Sequence, residues 1–338
     1  MHKTILIVTD NLPTQINGVV TTFKNIQTHA DRAGYDLVYL DPGQFHYIDC
    51  PGYSEVKLSL PWKIGKKIKA ISPDYIHIAT EGPVGLAARI WCDMNGYAYN
   101  TSYHTKFPEF LKKIYRIPES FTYRYVRWFH KHSGRVLTTT QTMVDQLYDH
   151  KFKTNIVAWT RGVDRDYLQP SRVWNHDHYI GLKPLVLYVG RVSKEKNLDA
   201  LCKLQHKYKI HIVGDGPDRV RLEREYTGVE FLGYKTGQAL ADCYAWADVF
   251  AFPSLVDTFG IVIIESLSLG TPVAAFPVQG PLDILEEGIT GYMCDDLSTS
   301  IDKCLLLDRV KVKQSSERWT WENCWEVFKE NLTELENK

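Results

Sequence analysis

The sequence has few of the features that mark a disulfide-bonded, metal-clustered or membrane-spanning protein. Its seven cysteines are widely spaced and include no CxxC pair, so neither a disulfide framework nor a zinc knuckle is expected. It contains no run of about 18 apolar residues, the length needed to cross a bilayer. The N-terminal apolar run ILIV meets Asp10 too early to form the core of a signal peptide. We therefore expect a cytoplasmic protein.

An excess of either charge is also missing. The chain carries 40 basic and 40 acidic side chains, and this balance argues against a dedicated nucleic-acid binder. Its 44% hydrophobic and 24% charged residues are typical of a globular enzyme or binding protein. The halves differ, because residues 1–170 hold 21 basic and 15 acidic side chains whereas residues 171–338 hold 19 and 25. A positive first half suits an anionic partner.

Short apolar runs alternate with helical stretches along the chain, which favours an α/β fold. The runs that we predict as strands are 3–10, 35–41, 75–80, 135–140, 184–190, 208–214, 249–254 and 272–278. Runs of this length without strict alternation indicate parallel strands that are covered by helices on both faces. At 338 residues the chain is longer than one core usually organises, which favours two domains.

The strand series restarts at about residue 184, after a polar, turn-rich segment. We therefore predict two doubly wound Rossmann-like domains that face each other across a cleft. The predicted parts are an N-terminal domain at 1–168, a linker at 169–183, a C-terminal domain at 184–315 and a C-terminal helix at 316–338. Trp321, Trp325 and Phe328 lie on one face of that helix, which we expect to pack back toward the N-terminal domain.

Two acidic residues of the stretch 252–285, Asp257 and Glu265, are candidates for a binding site, because the helix predicted after Asp257 is otherwise almost entirely apolar. Glu265 lies within the helix predicted after Asp257, and a buried carboxylate needs a ligand hydroxyl, a backbone donor or a cation beside it. Near the helix N-terminus, Asp257 can join Glu265 in binding a polyhydroxylated ligand whose phosphates rest on backbone N–H groups. An interpretation that stays open makes Asp257 an N-cap and Glu265 half of an internal ion pair.

A second candidate site follows the predicted strand at 184–190. Arg191 and Lys196 on the next loop suit a diphosphate, because a guanidinium offers a fork of donors and an ammonium a point charge. The alternative is an exposed helix start at 194–196. The GDGP sequence at 214–217 resembles a dinucleotide-binding loop only in part, because Arg219 stands where a third glycine is required. A nicotinamide site is therefore not expected.

The first half offers candidates at two loops. Asn17 and Gly18 follow the first predicted strand and begin a helix, which suits close approach of a phosphate or sugar. His104 lies in a polar loop after a strand near Tyr99, where a structural, hydrogen-bonded histidine is the alternative to a catalytic one.

A basic segment with interleaved aromatic residues follows at 106–135, with eight Lys or Arg against two Glu. One interpretation is an amphipathic surface that attracts anionic lipid headgroups or an anionic acceptor. The other is an ordinary helix pair whose aromatic side chains pack inward.

We predict no metal site. Asp164, Arg165 and Asp166 form a DxD sequence but lie in a turn, which we interpret as structural. Two HxH pairs, at 130–132 and 176–178, have no Cys or carboxylate at a ligand spacing, and we interpret their histidines as solvated.

In this order the motifs resemble the GT-B glycosyltransferases of family 4 over nearly the whole chain. The family's pair of glutamates separated by seven residues appears as Asp257 and Glu265 within DTFGIVIIE, flanked by PS and SLGTPV. The sequences RGVD at 161–164, EGPVGLAAR at 81–89, SYHTKFPEFL at 102–111 and PVQGPLDIL at 277–285 are most similar to the branch of GDP-mannose-dependent α-mannosyltransferases, with sulfolipid synthases as near relatives.

The resemblance implies a nucleotide-sugar donor bound mainly by the C-terminal domain. Arg191 and Lys196 would bind the diphosphate, Glu265 the ribose hydroxyls, and Asp257 a hydroxyl of the donor sugar. The loop around Gly280 would supply backbone N–H groups, and Gly260 belongs to the same donor-binding set. Gly214 and the FLGY segment with Gly233 would frame the base.

The same resemblance implies that the N-terminal domain binds the acceptor and contacts part of the donor. Gly18, next to Asn17, would close over the diphosphate, and His104 would touch the sugar. Asp257 is one methylene shorter than the family's usual glutamate.

Family 4 enzymes retain the anomeric configuration, so the resemblance also implies a retaining, metal-independent hexosyl transfer without cofactor. The expected partners are a nucleotide-sugar, a glycan or lipid acceptor and an anionic membrane surface, with no nucleic acid. Mannose from GDP-mannose is the first choice of donor, with GDP or UDP left open. A sugar-nucleotide epimerase and a non-catalytic sugar-nucleotide-binding subunit are the alternatives.

Overall fold

The structure, a computed structural model, describes most of the 338-residue chain. The described residues are 2–15, 17–50, 53–104, 106, 108–109, 111–112, 116–171 and 183–335. Two compact units make up the fold: Met1–Arg161 with Trp321–Lys338, and Gly162–Thr320. The histidines at 176 and 178 and most of the predicted linker at 169–183 lie outside the described residues.

The first unit is built on a six-stranded parallel sheet in the order β2-β1-β5-β6-β7-β8. The strands of this unit are β1 (Lys3–Val8), β2 (Tyr35–Leu40), β3 (His46–Cys50), β4 (Tyr53–Leu60), β5 (Tyr75–Ile78), β6 (Asn100–Tyr103), β7 (Val136–Thr138) and β8 (Ile156–Ala158). Strands β3 and β4 form an antiparallel hairpin apart from the parallel sheet. The pattern of apolar runs did not predict this hairpin.

Helices cover the first sheet. They are α1 (Gly18–Arg32), α2 (Ile64–Ile71), α3 (Pro83–Asn95), α4 (Glu119–His130), α5 (Gln141–Asp149) and α13 (Trp321–Glu330). The C-terminal helix α13 belongs to this unit, where Trp321, Trp325 and Phe328 join a buried cluster with Ile5 of β1 and Phe23 of α1. The aromatic face read from the sequence is therefore a packing face.

The second unit repeats the architecture. Its parallel sheet has the order β11-β10-β9-β12-β13-β14, with β9 (Leu185–Val189), β10 (Lys209–Val213), β11 (Val229–Gly233), β12 (Val249–Phe252), β13 (Val273–Ala275) and β14 (Gly291–Met293). Its helices are α6 (Leu198–Cys202), α7 (Arg219–Glu225), α8 (Gly237–Trp246), α9 (Ile261–Ser268), α10 (Pro281–Ile284), α11 (Leu297–Cys304) and α12 (Arg309–Ser315). This strand order is that of a doubly wound sheet, whose order reverses between β9 and β12.

The structure confirms two doubly wound parallel sheets, and each apolar run predicted as a strand contains one. The boundary between the units lies at Arg161 and Gly162, whereas the predicted first domain extends to 168. The difference arises because Val163 and Leu168 are buried in the core of the second unit, and because Val163 N–H donates to the carbonyl of Trp319 in the same unit.

Among the described residues, no helix is both long enough and apolar enough to pass through a bilayer.

Candidate functional site

The reversal of strand order between β9 and β12 defines the part of the second unit where a ligand is expected. In open α/β sheets, ligands bind beyond the carboxyl ends of the strands at this point. The loop after β9 carries Arg191 and Lys196, and the loop after β12 carries Asp257. Strand order therefore brings three charged residues predicted from the sequence to neighbouring loops.

Lys196 and Asp257 form an ion pair across these loops. The Lys196 Nζ donates to Asp257 Oδ1 at 2.6 Å and to Oδ2 at 2.8 Å, and each side chain is 23% exposed. The loops are also linked by Asn197 Nδ2, which donates to the carbonyl of Pro253 at 3.2 Å. A half-buried ammonium beside a carboxylate offers an incoming ligand one group for an anion and one for a hydroxyl.

Arg191 is exposed at the start of the same loop. The loop is held at this position because the Tyr188 hydroxyl donates to the carbonyl oxygen of Arg191 at 2.9 Å. Lys196 ends a short 3-10 turn, Lys194–Lys196, so the exposed turn considered as an alternative is present. Lys194 is the exposed residue of that turn, whereas Lys196 is half-buried against Asp257.

Glu265 projects from α9, whose other residues are mostly buried and apolar. Its Oε2 accepts a hydrogen bond of 2.9 Å from the hydroxyl of Tyr244, a fully buried residue of α8. Burial raises the pKa of the Glu265 carboxyl, and the hydrogen bond from Tyr244 lowers it. The Tyr244 hydroxyl therefore satisfies one oxygen of the carboxylate, a donor that differs from the ligand hydroxyl, backbone donor or cation that the sequence led us to expect.

The alternative interpretation of the two acids differs from the structure on both points. Helix α9 begins after Gly260, which occupies the N-cap position with a φ of 88°. Asp257 is thus three positions before the N-cap and pairs with Lys196. Among the described residues, the hydrogen-bond partner recorded for the Glu265 carboxylate is Tyr244, a neutral donor, so no internal ion pair is seen there.

Two predicted glycines, Gly214 and Gly233, line the edge of the second sheet in backbone contact with each other or with Gly190. Gly214 has a φ of 131°, and a Cβ at this position would lie 1.9 Å from the carbonyl oxygen of Gly190. The N–H of Gly214 donates to the carbonyl of Gly233 at 2.9 Å. Only glycine allows this approach at 214, so the loops after β9, β10 and β11 form one backbone-lined edge.

Gly280 closes the same region from the loop after β13. Its φ is 90°, and a Cβ there would lie 2.7 Å from the carbonyl oxygen of Phe259, next to Gly260. The loop around Gly280 therefore packs against the segment that follows Asp257. The structure brings Lys196, Asp257 and the glycine-rich loops to one end of one sheet.

In the first unit, Asn17 is the N-cap of α1. Its Oδ1 accepts from the N–H groups of Val19 at 3.1 Å and Val20 at 3.0 Å, and its Nδ2 donates to Asn11 Oδ1 at 3.1 Å. A Cβ at Gly18 would meet no atom within 4 Å. The structure thus confirms that the helix starts here and leaves room over its first turn.

His104 follows β6 and is 9% exposed. Its Nδ1 lies 3.0 Å from NH2 of Arg161, a group that can only donate, so Nδ1 is the acceptor and the proton of the neutral ring is on Nε2. Burial, reinforced by the Arg161 charge, holds the pKa of His104 well below its usual range. The ring is therefore a neutral hydrogen-bond donor through Nε2 and is unsuited to carrying a proton between groups at neutral pH.

Two partners of predicted site residues were not identified from the sequence. Arg161 belongs to the RGVD motif, but the motif assigned it no role. It lies 57 positions from His104, so no local sequence pattern predicts their contact. Tyr244 precedes Glu265 by 21 positions on another helix. Both pairs depend on tertiary packing, although the need of a buried acid for a donor indicated that some partner exists.

The metal prediction is not tested by the structure, in which no group of three or more His, Cys, Asp or Glu among the described residues is placed to hold an ion. Asp164 Oδ1 accepts from the N–H of Tyr167, and Arg165 donates to the carbonyl of Ser316, as expected for a structural turn. The solvated interpretation is wrong for His130, which is fully buried and whose Nδ1 is satisfied by Thr101 Oγ1 at 2.7 Å. His132 is exposed.

The basic aromatic segment divides its side chains between core and surface. Tyr123, Val126 and Phe129 of α4 are buried, whereas Phe121 is 70% and Trp128 43% exposed. The interpretation with every aromatic residue packed inward therefore does not hold, and the membrane interpretation stays a prediction.

Each of the two units is matched by a family of known proteins. Residues 16–167 match the family described as Glycosyltransferase Family 4, and residues 183–307 match Glycosyl transferases group 1. A sulfoquinovosyl transferase of Arabidopsis thaliana is 30% identical over 302 residues, which are 80% of this chain and 59% of the plant protein. A GDP-mannose-dependent alpha-mannosyltransferase of Corynebacterium glutamicum is 26% identical over 319 residues, 86% of this chain and 76% of that protein. The chain thus spans less than two thirds of the plant relative.

Solved structures share the fold at low identity. A sucrose-phosphate synthase from Thermosynechococcus elongatus superimposes with a TM-score of 0.75 at 17% identity, covering 97% of this chain and 98% of that chain. An Anabaena protein crystallised with UDP gives a TM-score of 0.69 at 14% identity, with coverages of 97% and 98%.

Proposed function

This chain belongs to family 4 of the GT-B glycosyltransferases, and from that premise we propose that it moves a hexose from a nucleotide-sugar donor to a glycan or lipid acceptor. The observation that carries the proposal is the ion pair between Lys196 and Asp257 at the point where the strand order of the second sheet reverses. The pair supplies a cation for a diphosphate and an acceptor for a sugar hydroxyl at the edge where such sheets bind ligands.

Mannose carried by GDP is the donor that we propose. The GDP-mannose-dependent relatives of Corynebacterium glutamicum and Mycobacterium tuberculosis support it, at 26% and 27% identity. The plant sulfoquinovosyl transferase is a relative named for another sugar. A test of the donor therefore has to compare several nucleotides.

Each predicted residue of the second unit has a role in this proposal. Arg191 and Lys196 bind the diphosphate, Asp257 accepts from a hydroxyl of the donor sugar, and Glu265 accepts from the ribose. The glycine edge allows the nucleotide close to the backbone, with the base framed by Gly214 and Gly233 and N–H groups supplied near Gly260 and Gly280.

Lys196 must serve two partners in this arrangement. An ammonium has three N–H donors, and the two contacts to the Asp257 carboxylate leave donor capacity for a phosphate oxygen. The carboxylate fixes the position of the ammonium before the donor arrives, which reduces the entropy lost on binding.

In the first unit, we propose that Asn17 acts through its cap on α1. By accepting from the N–H groups of Val19 and Val20, it holds the first turn of the helix, so that the positive end of the helix dipole at Gly18 faces an anionic group of the donor. We propose that His104 donates from Nε2 to a sugar oxygen.

We propose that transfer retains the anomeric configuration by displacement on one face of the sugar and needs no metal or cofactor. The bond between the anomeric carbon and the phosphate oxygen breaks, and a bond from that carbon to the acceptor oxygen forms. The acceptor's proton passes to the departing phosphate oxygen. Arg191 and Lys196 stabilise the negative charge that grows on the diphosphate.

The acceptor in this proposal is a glycan or a lipid, and the protein contacts an anionic membrane surface from a cytoplasmic location. The net positive charge of residues 1–170 supports such a contact.

Nucleotide binding followed by transfer tests the proposal. The melting temperature of the chain is measured with GDP, UDP and ADP, because a ligand that binds the folded state raises it. The corresponding nucleotide-sugars are then supplied with candidate acceptors, without and with a chelator. We expect GDP to give the largest shift, GDP-mannose to be turned over, and the chelator to leave the rate unchanged.

A matched pair of variants identifies the site. Lys196→Ala is expected to lower turnover at least about 100-fold, since it removes charge stabilisation from the leaving group. Lys194→Ala changes an exposed lysine of the same turn and should leave turnover within twofold of wild type. Equal effects of the two substitutions, or tight nucleotide binding with no turnover of any donor, would contradict sugar transfer at this site.

A further inference from the structure

The β3–β4 hairpin of the first unit presents an apolar face to solvent. Register pairs Ile48 with Leu58 and His46 with Leu60, which places these four side chains on one face of the hairpin. Ile48 is 68%, Leu58 36% and Leu60 73% exposed. Trp62, which follows β4 directly, is 81% exposed.

The opposite face of the hairpin carries Tyr47, Asp49, Lys57 and Ser59, of which Tyr47 is 42% exposed. Ser59 is 4% exposed, and Lys57 Nζ donates to Asp49 Oδ1 at 2.5 Å while lying 5.6 Å from the centre of the Tyr47 ring. The charged pair therefore lies on one face of the hairpin, and Ile48, Leu58 and Leu60 form an exposed apolar surface on the other, an arrangement that soluble proteins usually avoid.

Helix α2 follows β4 closely in the chain and carries exposed lysines. Ile64 and Ile68 are buried, and a Cβ at Gly65 would lie 2.0 Å from Nε1 of Trp91, so this side of α2 is fixed against α3. Lys66 and Lys69 are exposed on the other side. From Lys57 to Ile71 the sequence contains five lysines and no acid.

We infer that the hairpin face of Ile48, Leu58, Leu60 and Trp62, together with the lysines of α2, docks on an anionic lipid bilayer. Tryptophan and aliphatic side chains enter the interfacial region of a bilayer, while lysines beside them are attracted to anionic headgroups. The exposed apolar side chains of the hairpin and the exposed lysines of α2 lie next to each other in the sequence. Exposed aliphatic and indole groups beside lysines match both the interfacial region and the anionic headgroups of a bilayer, whereas an acidic protein surface matches only the lysines.

The surface differs from the basic aromatic segment identified in the sequence. On α4 the Trp128 ring is covered by the guanidinium of Arg89, whose carbon lies 3.9 Å from the ring centre. Part of that aromatic surface is therefore already in use within the protein. The inference rests on the membrane contact included in the proposed function and does not depend on sugar transfer.

Sedimentation with vesicles tests the inference without any turnover. Wild-type chain is mixed with vesicles of phosphatidylcholine alone or of phosphatidylcholine with phosphatidylglycerol, at low and high salt. We expect binding to the anionic vesicles that weakens with salt. Equal binding to both vesicle types, or none, would overturn the inference.

Two double variants separate the apolar and the charged contributions. Lys66→Glu with Lys69→Glu should lower the partition coefficient on anionic vesicles by at least about 25-fold, because each lysine near such a surface contributes a factor of about five and the glutamates are repelled by it. Leu60→Ser with Trp62→Ser should lower it at least about tenfold, and this loss should persist at every phosphatidylglycerol content that gives binding.

The controls carry the same chemical changes elsewhere. Lys311→Glu with Lys313→Glu, and Leu306→Ser with Val310→Ser, alter exposed residues of the second unit and should bind vesicles within about twofold of wild type. Melting temperature and its shift with nucleotide are measured for all variants to establish folding. Phe121→Ser with Arg124→Glu tests the surface of α4. If this variant lost binding while the hairpin and α2 variants retained it, the docking surface would be α4 and the inference would be wrong.

Discussion

At the scale of single residues, the charged groups of the second unit are arranged in two different ways. Lys196 and Asp257 neutralise each other while keeping some exposure, whereas the partner of Glu265 seen among the described residues is a neutral hydroxyl. A carboxylate that retains its charge in such surroundings depends strongly on that one donor. The Tyr244–Glu265 pair is therefore the more sensitive of the two to a single substitution.

Removing the Tyr244 hydroxyl should destabilise the protein in a pH-dependent way. Tyr244→Phe leaves the Glu265 carboxylate without its donor, which costs about 1–3 kcal/mol. Burial already raises the pKa of Glu265, and loss of this hydrogen bond raises the pKa further. Since the folded variant then holds its proton to higher pH than the unfolded chain, its stability falls as pH rises, and the difference from wild type is larger at pH 7 than at pH 5.

Urea denaturation at both pH values measures this effect. Tyr234→Phe removes a hydroxyl from a side chain that is 62% exposed and should change stability by less than about 0.5 kcal/mol. A destabilisation by Tyr244→Phe that was the same at both pH values would show that the lost hydroxyl does not act on the ionised carboxylate.

Arg161 should decide which nitrogen of His104 carries the proton. It is 3% exposed, donates to the carbonyls of Trp159 and Thr160 at 2.6 and 3.0 Å, and donates to His104 Nδ1. Arg161→Met removes the donor at Nδ1, so the ring is expected to populate the other tautomer. Turnover should fall more than nucleotide binding, because a proton on Nδ1 leaves Nε2 unable to donate.

Nitrogen NMR of labelled histidine distinguishes the tautomers, with His104→Gln used to assign the signal. Arg135→Met, at an exposed arginine of the same unit, should leave the His104 signals unchanged. Retention of the Nε2–H form in Arg161→Met would contradict the positioning role of Arg161.

At the scale of elements, glycine placement determines how closely the loops of the second sheet approach. Gly214 contacts the Gly190 carbonyl from a φ that L-residues rarely adopt, whereas Gly18 meets no atom within 4 Å of a Cβ. Both glycines were predicted as donor-binding residues. The packing of the surrounding backbone requires glycine at 214 but not at 18. Alanine substitutions at the two positions therefore make a matched pair.

Gly214→Ala should disrupt the glycine edge, whereas Gly18→Ala should not disturb the fold. The Cβ at 214 would lie 1.9 Å from a backbone oxygen, which requires the loops to separate at a cost of roughly 3 kcal/mol or more. Gly18→Ala lies in the first turn of α1 and should leave stability unchanged or raise it by up to about 1 kcal/mol. Chemical denaturation measures both values, and equal destabilisation by the two would contradict the distinction.

Gly18→Ala also tests the role proposed for α1. If an anionic group of the donor approaches the first turn closely, this variant should weaken nucleotide binding without loss of stability. Unchanged binding would remove Gly18 from the donor site.

At the scale of the whole molecule, apolar runs predicted eight of the twelve parallel strands described, because strands covered on both faces are continuously apolar. The β3–β4 hairpin has no such continuous apolar run, because one of its faces is open and its strands are polar in part, so periodicity did not reveal it. Motif spacing placed Lys196 and Asp257 on loops whose meeting follows from strand order. Tyr244 and Arg161 were not assigned, since their contacts form between helices or loops far apart in sequence.

Asp10 links several elements of the first unit and gives stability a defined pH dependence. Its carboxylate accepts from the N–H of Val84 at 2.7 Å, from the N–H of Gly85 at 3.3 Å and from the Thr80 hydroxyl at 2.7 Å, joining the end of β1 to the start of α3. Burial raises the pKa of Asp10 from an ordinary 3.8 to about 6 despite these donors. The folded protein thus keeps this proton at pH values where the unfolded chain has lost it.

Stability should consequently fall as pH rises between 3.8 and about 6, by about 1.4 kcal/mol per pH unit from this group within the window. Asp10→Asn cannot titrate, so its stability relative to wild type should improve by about 2 kcal/mol between pH 4.5 and pH 6.5. Denaturant unfolding across this range measures the difference. Asp149→Asn, at the exposed end of α5, should retain the wild-type slope, and a parallel pH profile for Asp10→Asn and wild type would mean that Asp10 does not hold its proton in the folded state.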